Sequence, residues 1–359
     1  MRVSIHKILI IVQRSNGDVF LSSPLIEALH RHYNSPQIDL LVNDNTITIA
    51  KTLPYINKIL TFSYKLKKQN PIKQELSIIQ KIYKKYDLSI NLTASDRSVI
   101  YSILASPFPI SAVEKDNKKS WWKKLFLKKS YTFDNSKHIL KNNTMSLALL
   151  GIKSNTLHVK TFYPQSAKHT TIQKLNELGI ESFIIFHPSA QYEYKIYPKT
   201  RRNELLSLLN TLNIPIIITG ANTTLDKQIK SELPKLNNIY DLIGETSLDE
   251  LLALNDLTLA YIGMDTLNMH LAAASSKRVF AIFGPTLLPM WSPWSNEAQA
   301  NANINTPKQT YGNITIFQAD MPCVACGLAG CDNKHGKSDC LYAINPTTIF
   351  SEVQNWLTT

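Results

Sequence analysis

Nothing in this chain stays apolar long enough to cross a bilayer, since no run of about eighteen apolar residues occurs. The opening apolar run, Ile8 to Val12, stops at Gln13 and Arg14. It is too short for a secretory leader and reads as a buried strand. Low-complexity tracts and fixed-period repeats are missing too, which excludes solenoids and compositionally biased linkers. Cysteine is scarce, four residues in 359, and confined to one stretch, so no disulfide framework is expected to run through the molecule. What these absences leave is a globular chain, 44% hydrophobic and 18% charged. It is long enough for two domains with separate cores and is expected in the cytoplasm.

Acidic residues are scarce in one half only. Residues 1–180 carry 27 Lys/Arg against 11 Asp/Glu, a balance of +16, whereas residues 181–359 carry 12 against 16, a balance of −4. A segregated charge of this kind points to an anionic partner for the first half. Within that half, "KKSWWKKLFLKKS" (Lys118–Ser130) places six lysines around Trp121, Trp122, Leu125, Phe126 and Leu127. By itself the patch admits three readings: nucleic-acid binding, docking on a membrane surface, or a solvated loop.

Short apolar runs alternate with helical patterns along the whole chain. "KILIIV", "IDLLV" and "DLSINL" in the first half, and "FIIFH", "IPIIITG", "IYDLIG", "LTLAYIG" and "RVFAIFG" in the second, have the length and composition of strands buried on both faces. Helical patterns between them include Ile72–Tyr86, "RRNELLSLLNTL" and "SLDELLALN", the last opening with Ser247 and Glu250 in capping-box spacing. The alternation predicts an α/β protein with two Rossmann-like, doubly wound parallel sheets facing a cleft. The polar stretch "KTFYPQSAKHTTIQK" divides them, giving domains at 1–170 and 171–345 and a C-terminal helix at 346–359.

Four segments could carry chemistry, each directly after a strand. In "RSNGDVFLSSP", Asn16-Gly17 suits a tight turn and sets Asp18 at a helix start. There it is either an N-cap or a carboxylate able to take a proton from a hydroxyl. In "HPSAQYEYKIYP", the loop around Ser189 can offer backbone N–H groups to a phosphate, and Lys195 can neutralise its charge. In "YIGMDTLNMHLAAA", Thr266 and the helix-start amides form an anion site. Asp265 would repel a phosphate there unless its carboxylate points elsewhere, and His270 shares the helical face of Thr266. "FAIFGPTLLPMWSPW" brings Thr286 to the same rim.

The order of these motifs, G-D, then P-S-A…K-x-Y-P, then D-T-x-x-x-H-L-A-A-A, then F-G-P-T…W-x-P-W, resembles the heptosyltransferase family, glycosyltransferase family 9. The resemblance runs from about residue 7 to about residue 345. It implies a GT-B enzyme that needs no metal or other cofactor, with the acceptor bound by the first domain and the nucleotide-sugar by the second. It further implies Asp18 as general base, Lys195 on the donor phosphates, and Asp265, Thr266 and His270 beside the diphosphate. The donor it implies is an ADP-heptose and the acceptor the inner core of lipopolysaccharide. There are departures from the family pattern. Leu267 stands where glycine is usual, Tyr197 where tryptophan is common and Ser189 where glycine is found, and Asp226 is the nearest counterpart of a ribose-binding acid.

The cysteines follow the spacing Cys323-x2-Cys326-x4-Cys331-x8-Cys340, with His335 among them, a pattern compatible with a structural zinc loop, with free buried thiols or with an inducible redox pair. Similar segments occur in heptosyltransferase II-like members. Two rivals differ in class. A nucleic-acid-binding protein would use the basic half and stack bases on its aromatics, but no nucleic-acid motif is visible, so none is expected as partner. A sugar-nucleotide epimerase would share the two-domain build. On the transferase reading, the lysine-tryptophan patch becomes a docking element for an anionic membrane surface carrying a lipid-anchored acceptor, with Trp121, Trp122, Lys123, Lys124 and Phe126 at its centre. That makes the expected location peripheral to the inner membrane.

Overall fold

The computed structural model describes residues 4–154 and 156–358. The chain divides into two compact units, Met1–Phe162 and Tyr163–Thr359. Among the described residues no helix is long and apolar enough to cross a membrane.

In the first unit the elements run β1 (Lys7–Val12), α1 (Asn16–Phe20), α2 (Ser23–His32), β2 (Gln37–Asn43), α3 (Ile47–Ala50), β3 (Ile56–Phe62), α4 (Tyr64–Gln69), α5 (Pro71–Ile82), β4 (Leu88–Asn91), α6 (Asp96–Ala105), β5 (Pro109–Val113), α7 (Asn117–Phe126), β6 (Lys129–Thr132) and α8 (Ile139–Leu149). The six strands form one parallel sheet in the order β3-β2-β1-β4-β5-β6. Alternate residues of a strand point to opposite faces. Leu9 and Ile11 therefore join Leu41, Phe62, Ile78, Ile82 and Tyr101 in one buried cluster. Each such side chain contributes roughly 1.5–3 kcal/mol when fully buried. The strand order reverses beside β1, so whatever follows β1 lies at the switch point where open α/β sheets bind ligands.

The second unit runs α9 (Gln165–Glu177), β7 (Ile184–His187), α10 (Lys199–Asn210), β8 (Ile216–Ile218), α11 (Thr224–Ser231), β9 (Ile239–Asp241), α12 (Leu248–Leu257), β10 (Ala260–Met264), α13 (Leu267–Ala274), β11 (Arg278–Ile282), α14 (Leu288–Trp291), β12 (Lys308–Tyr311), β13 (Ile314–Phe317), α15 (Asp339–Ala343) and α16 (Pro346–Leu357). The sheet order is β12-β13-β11-β10-β7-β8-β9, parallel except for the edge pair β12/β13. The capping box read from Ser247 and Glu250 is present, with Ser247 N–H donating to Glu250 Oε2 at 2.8 Å.

Two domain limits differ from the sequence expectation. The division falls at 162/163, and a limit at 170/171 would cut α9 in half. That helix looks like a linker because it is polar on most sides, yet Leu175 packs into the core of the second unit. The C-terminal helix α16 likewise belongs to the second unit, where Ile349 and Val353 are buried in its core and Trp356 meets the Phe280 ring edge-on.

The lysine-tryptophan patch is the helix α7, opened by Asp116, whose side chain accepts from the Lys118 N–H at 2.9 Å. Two of the five residues set at its centre face inward. Trp122 is half-buried against Val99, Val113 and Leu127. Lys123 is fully buried, with its Nζ 2.7 Å from Asp96 and 2.8 Å from Glu114, and it donates to the Ala94 carbonyl at 2.6 Å. A fully buried ammonium needs such partners. Removing one member of a buried pair costs about 3–5 kcal/mol. Because Asp96 is 70% and Glu114 31% exposed, solvent screening reduces the expected loss for Lys123→Gln to about 2 kcal/mol. Denaturant melts should show that loss for Lys123→Gln and none for Lys124→Gln, and equal stabilities would contradict the inward role of Lys123.

Candidate active site

Asp18 sits six residues past the end of β1, in the first turn of α1. The expected glycine turn is not what places it, because Gly17 lies inside that helix. Asp18 is not the N-cap either: Ser15 is, and Asp18 is the third helical residue, reaching back to it. The Ser15 N–H and hydroxyl both donate to Asp18 Oδ2, at 3.2 and 2.6 Å. Oδ1 lies 2.7 Å from Arg14 Nε, but it accepts no well-aligned hydrogen bond among the described residues. The carboxyl is buried, which raises its pKa; Arg14 and Ser15 pull the other way without cancelling that rise. The result is a desolvated carboxylate, oriented through Oδ2 by Ser15 and ion-paired through Oδ1 with Arg14.

In the second unit, β7, β10 and β11 are neighbours in the sheet, so the segments leaving their carboxyl ends form one rim. The rim collects the second group of candidate residues: Ser189 after β7, Asp265 and Thr266 after β10, and Thr286 after β11. Lys195 ends a single 3₁₀ turn (Glu193–Lys195), and its Nζ donates to Asp265 Oδ2 at 2.9 Å. Asp265 is thus held by the lysine. Burial pulls the Lys195 pKa down, but Asp265 and Tyr194 outweigh it and hold it above the ordinary lysine value.

Thr266 caps α13 without a hydrogen bond from its own side chain. Its Oγ1, His270 Nδ1 and Thr286 Oγ1 are buried atoms with no hydrogen-bond partner among the described residues. Buried polar atoms are normally paired, and three orphans beside a charged pair indicate a place for a polar ligand. Burial lowers the His270 pKa to about 4, so this ring is neutral near pH 7. Leu267 is the first residue of α13. Tyr197 is fully buried and donates to the Ile344 carbonyl at 2.7 Å, which makes it a core residue.

Sequence reasoning named Asp226 but missed His187, Thr219 and Asn268 beside it. His187, the last residue of β7, shares its Nδ1 with Thr219 Oγ1 at 2.9 Å, while Asn268 Nδ2 lies 2.8 Å from its Nε2. Burial puts the His187 pKa near 4. Asp226 closes a capping box with Thr223 at the start of α11. Burial raises its pKa, but hydrogen bonds from Ser189 and Thr223 bring it below the ordinary value. A strand-terminal histidine in "FIIFH" was the one available signal for His187.

The cysteine-bearing loop braces the Lys195 turn. The Ser338 hydroxyl donates to the Tyr194 carbonyl at 2.7 Å, and the His335 ring lies 5.5 Å from both the Tyr192 and Tyr194 rings. Cys323, Cys326 and Cys331 are exposed, and Cys340 is buried. Burial and the three neighbouring sulfurs push the Cys340 thiol up to about 11. Among the described residues no group of three or more His, Cys, Asp or Glu side chains is arranged to hold a metal ion.

Residues 76–318 match the profile described as glycosyltransferase family 9 (heptosyltransferase). Lipopolysaccharide heptosyltransferase 3 of Escherichia coli (strain K12) is 27% identical over 289 residues, covering 79% of this chain and 83% of that protein. Among solved structures, the E. coli ADP-heptose lps heptosyltransferase II superposes with a TM-score of 0.73 at 18% identity and covers 98% of both chains. An E. coli heptosyltransferase solved with ADP gives a TM-score of 0.72 at 15% identity, covering 97% of this chain and 99% of that one.

Proposed function

Because this chain belongs to glycosyltransferase family 9, has the two parallel-sheet units of a GT-B fold, and is therefore a glycosyltransferase, we propose that it moves a heptose or related sugar from an ADP-sugar to the inner core of lipopolysaccharide with inversion. The observation that carries this reading is the Lys195–Asp265 pair beside the start of α13, surrounded by buried polar atoms that lack partners. A diphosphate supplies what that rim lacks, oxygens for the Thr266 hydroxyl and the α13 amides, and Lys195, already paired with Asp265, is placed to meet part of its charge. The names of the relatives support adenine as the base.

In the proposed reaction, an acceptor hydroxyl oxygen attacks the anomeric carbon from the face opposite the diphosphate. Its proton passes to Asp18, the new C–O bond forms as the bond to the diphosphate oxygen breaks, and ADP leaves with the electron pair. Lys195, Thr266 and the helix-start amides meet the charge that develops on the leaving group, the electrostatic part of the catalysis. The test is a binding screen of ADP-, UDP- and GDP-sugars followed by turnover with a truncated core lipid. Transfer from the ADP-sugar with the opposite anomeric configuration is expected. Turnover only from a UDP- or GDP-sugar, or retention of configuration, would overturn the assignment.

Work on a lipid-anchored acceptor also favours a membrane-docking surface at the cytoplasmic leaflet, and α7 supports it with Trp122 and Lys123 removed from the set. Trp121, Leu125 and Phe126 are 57%, 71% and 64% exposed, with Lys118, Lys119, Lys124, Lys128 and Lys129 exposed around them. Helix α6 packs against both α5 and α7, and α5 adds exposed Ile72 and Leu76, with exposed Tyr83 just after its end. Lysines near an anionic leaflet contribute about 1 kcal/mol each. Trp121, Leu125 and Phe126 replaced together by serine should lose most cosedimentation with phosphatidylglycerol-containing liposomes and keep activity on a delipidated acceptor. Unchanged cosedimentation would remove α7 from the docking surface.

A further inference from the structure

The first unit holds a second set of buried polar atoms without partners, at the same carboxyl rim as Asp18. Gln13 follows β1 directly and is buried, yet neither its Nε2 nor its Oε1 has a hydrogen-bond partner among the described residues. Asn43, the last residue of β2, is buried with Oδ1 unpartnered. Arg97, in the first turn of α6, is half-buried with its Nε unpartnered. A buried side-chain amide with both ends unsatisfied is costly in any fold, and here it shares one rim with an unpartnered Asn43 oxygen and an unpartnered Arg97 nitrogen from two other elements.

The register brings them together. Val12 pairs with Val42, so Gln13 and Asn43 occupy the next position on adjacent strands. Asn43 in turn pairs with Phe62 at the end of β3. Ile11, Leu41 and Phe62 share one buried cluster, and the two-residue alternation turns Gln13 and Asn43 to that same face, one step beyond the core. The Arg97 guanidinium completes the row, 3.7 Å from the centre of the Phe62 ring and donating to the Tyr64 hydroxyl at 3.2 Å. No carboxylate among the described residues pairs with it. Strands lie about 4.8 Å apart, so the row spans roughly 10 Å, the length of one or two sugar rings. It adjoins the proposed base, because Asn43 Nδ2 donates at 3.3 Å to the carbonyl of Arg14, whose guanidinium faces Asp18.

We propose that Gln13, Asn43 and Arg97 form the subsite that reads the acceptor saccharide, the two amides pairing with its hydroxyl groups and Arg97 with a phosphate on it. An amide offers two donors and two acceptor lone pairs, the complement of a vicinal diol. A guanidinium presents a planar fork that suits phosphate, and stacking on Phe62 fixes its plane. This assignment rests on the transferase reading above.

The probe is core oligosaccharide freed of its lipid, used intact and after phosphatase treatment, with wild-type protein and the variants Gln13→Leu, Asn43→Leu and Arg97→Met. For wild type, the intact probe should be preferred over the dephosphorylated one by on the order of tenfold in kcat/KM. Arg97→Met should abolish that preference, since a charged hydrogen bond of this kind corresponds to roughly tenfold or more. Gln13→Leu and Asn43→Leu should raise the acceptor KM about tenfold on both probes and leave the KM for the sugar-nucleotide within twofold. The Tm of Gln13→Leu should hold or rise, because a near-isosteric apolar side chain relieves an unsatisfied amide, whereas Asn43→Leu also gives up the bond to the Arg14 carbonyl and should melt slightly lower. Unchanged acceptor KM in all three variants, or a phosphate preference that survives Arg97→Met, would overturn the subsite. So would a Tm that falls by several degrees in Gln13→Leu, since it would mark the amide as structurally satisfied. Absence of transfer by wild-type protein would instead overturn the underlying transferase reading, which keeps the two failures apart.

Discussion

Asp18→Asn is expected to lower kcat/KM for the acceptor by about 10²–10⁴-fold, the usual contribution of a positioned general base, while the affinity for the sugar-nucleotide stays within twofold. The amide keeps the shape of the carboxylate and can still accept from Ser15, so the helix start survives. The pH behaviour follows from the burial of the carboxyl, which raises its pKa against the pull of Arg14 and Ser15. Transfer needs the ionised form, so the acid limb of wild-type kcat/KM should lie above the ordinary aspartate value and disappear in Asp18→Asn. Stability runs in the opposite sense. A carboxyl whose folded pKa is raised contributes fully below its unfolded pKa and loses that contribution as pH rises through the folded pKa. Near neutral pH the asparagine variant should therefore melt no lower than wild type. Wild-type turnover by Asp18→Asn would end its assignment as base.

Lys195→Ala should weaken nucleotide diphosphate binding by about 10–150-fold, the equivalent of the roughly 1.5–3 kcal/mol carried by a charged hydrogen bond, with a fall in kcat because the charge of the leaving group is no longer met. Titration calorimetry with ADP measures the first effect directly. The structure adds a second consequence. Asp265 is buried and paired with Lys195 at 2.9 Å, so removing the lysine strands a carboxylate. Lys195→Ala should be destabilised, and adding Asp265→Asn should restore most of the stability without restoring the affinity. Unchanged ADP affinity in Lys195→Ala would show that the donor site lies elsewhere. Restored affinity in the double variant would mean that Lys195 acts only through Asp265.

The fold was legible because its signal is local. Strands buried on both faces must be continuous apolar runs, and helices between them carry their own caps, so "KILIIV", "FIIFH" and "RVFAIFG" could be recognised singly. Strands at or near sheet edges were not. "INKILTF" is half-exposed, "PISAV" is short and begins with proline, β12 carries polar residues where the sheet edge meets solvent, and the buried β13 is only four residues long. The candidate site was legible for a related reason. In a parallel sheet every segment after a strand reaches the same rim, so Ser189, Asp265, Thr266 and Thr286 could be assigned to one rim from their positions alone.

Partnership between distant residues belonged to the tertiary structure. Lys123 and Lys124 are indistinguishable in "WWKKLF", yet packing against α6 and β5 leaves one buried between Asp96 and Glu114 and the other in solvent. The division at 162/163 depends on Leu175 finding a core to pack into, which the polarity of α9 conceals. Asp265 could be read as repelling a phosphate or as turned away from it, and only the fold, by bringing Lys195 from 70 residues away, gave it a partner. Gln13 looks like the residue that ends a strand, and its significance lies in what does not reach it. A sequence reports the chemistry of each residue and its nearest neighbours along the chain. Which buried groups are paired and which remain unsatisfied is a property of the assembled sheet, because pairing is decided by residues that meet only after the strands have taken their register.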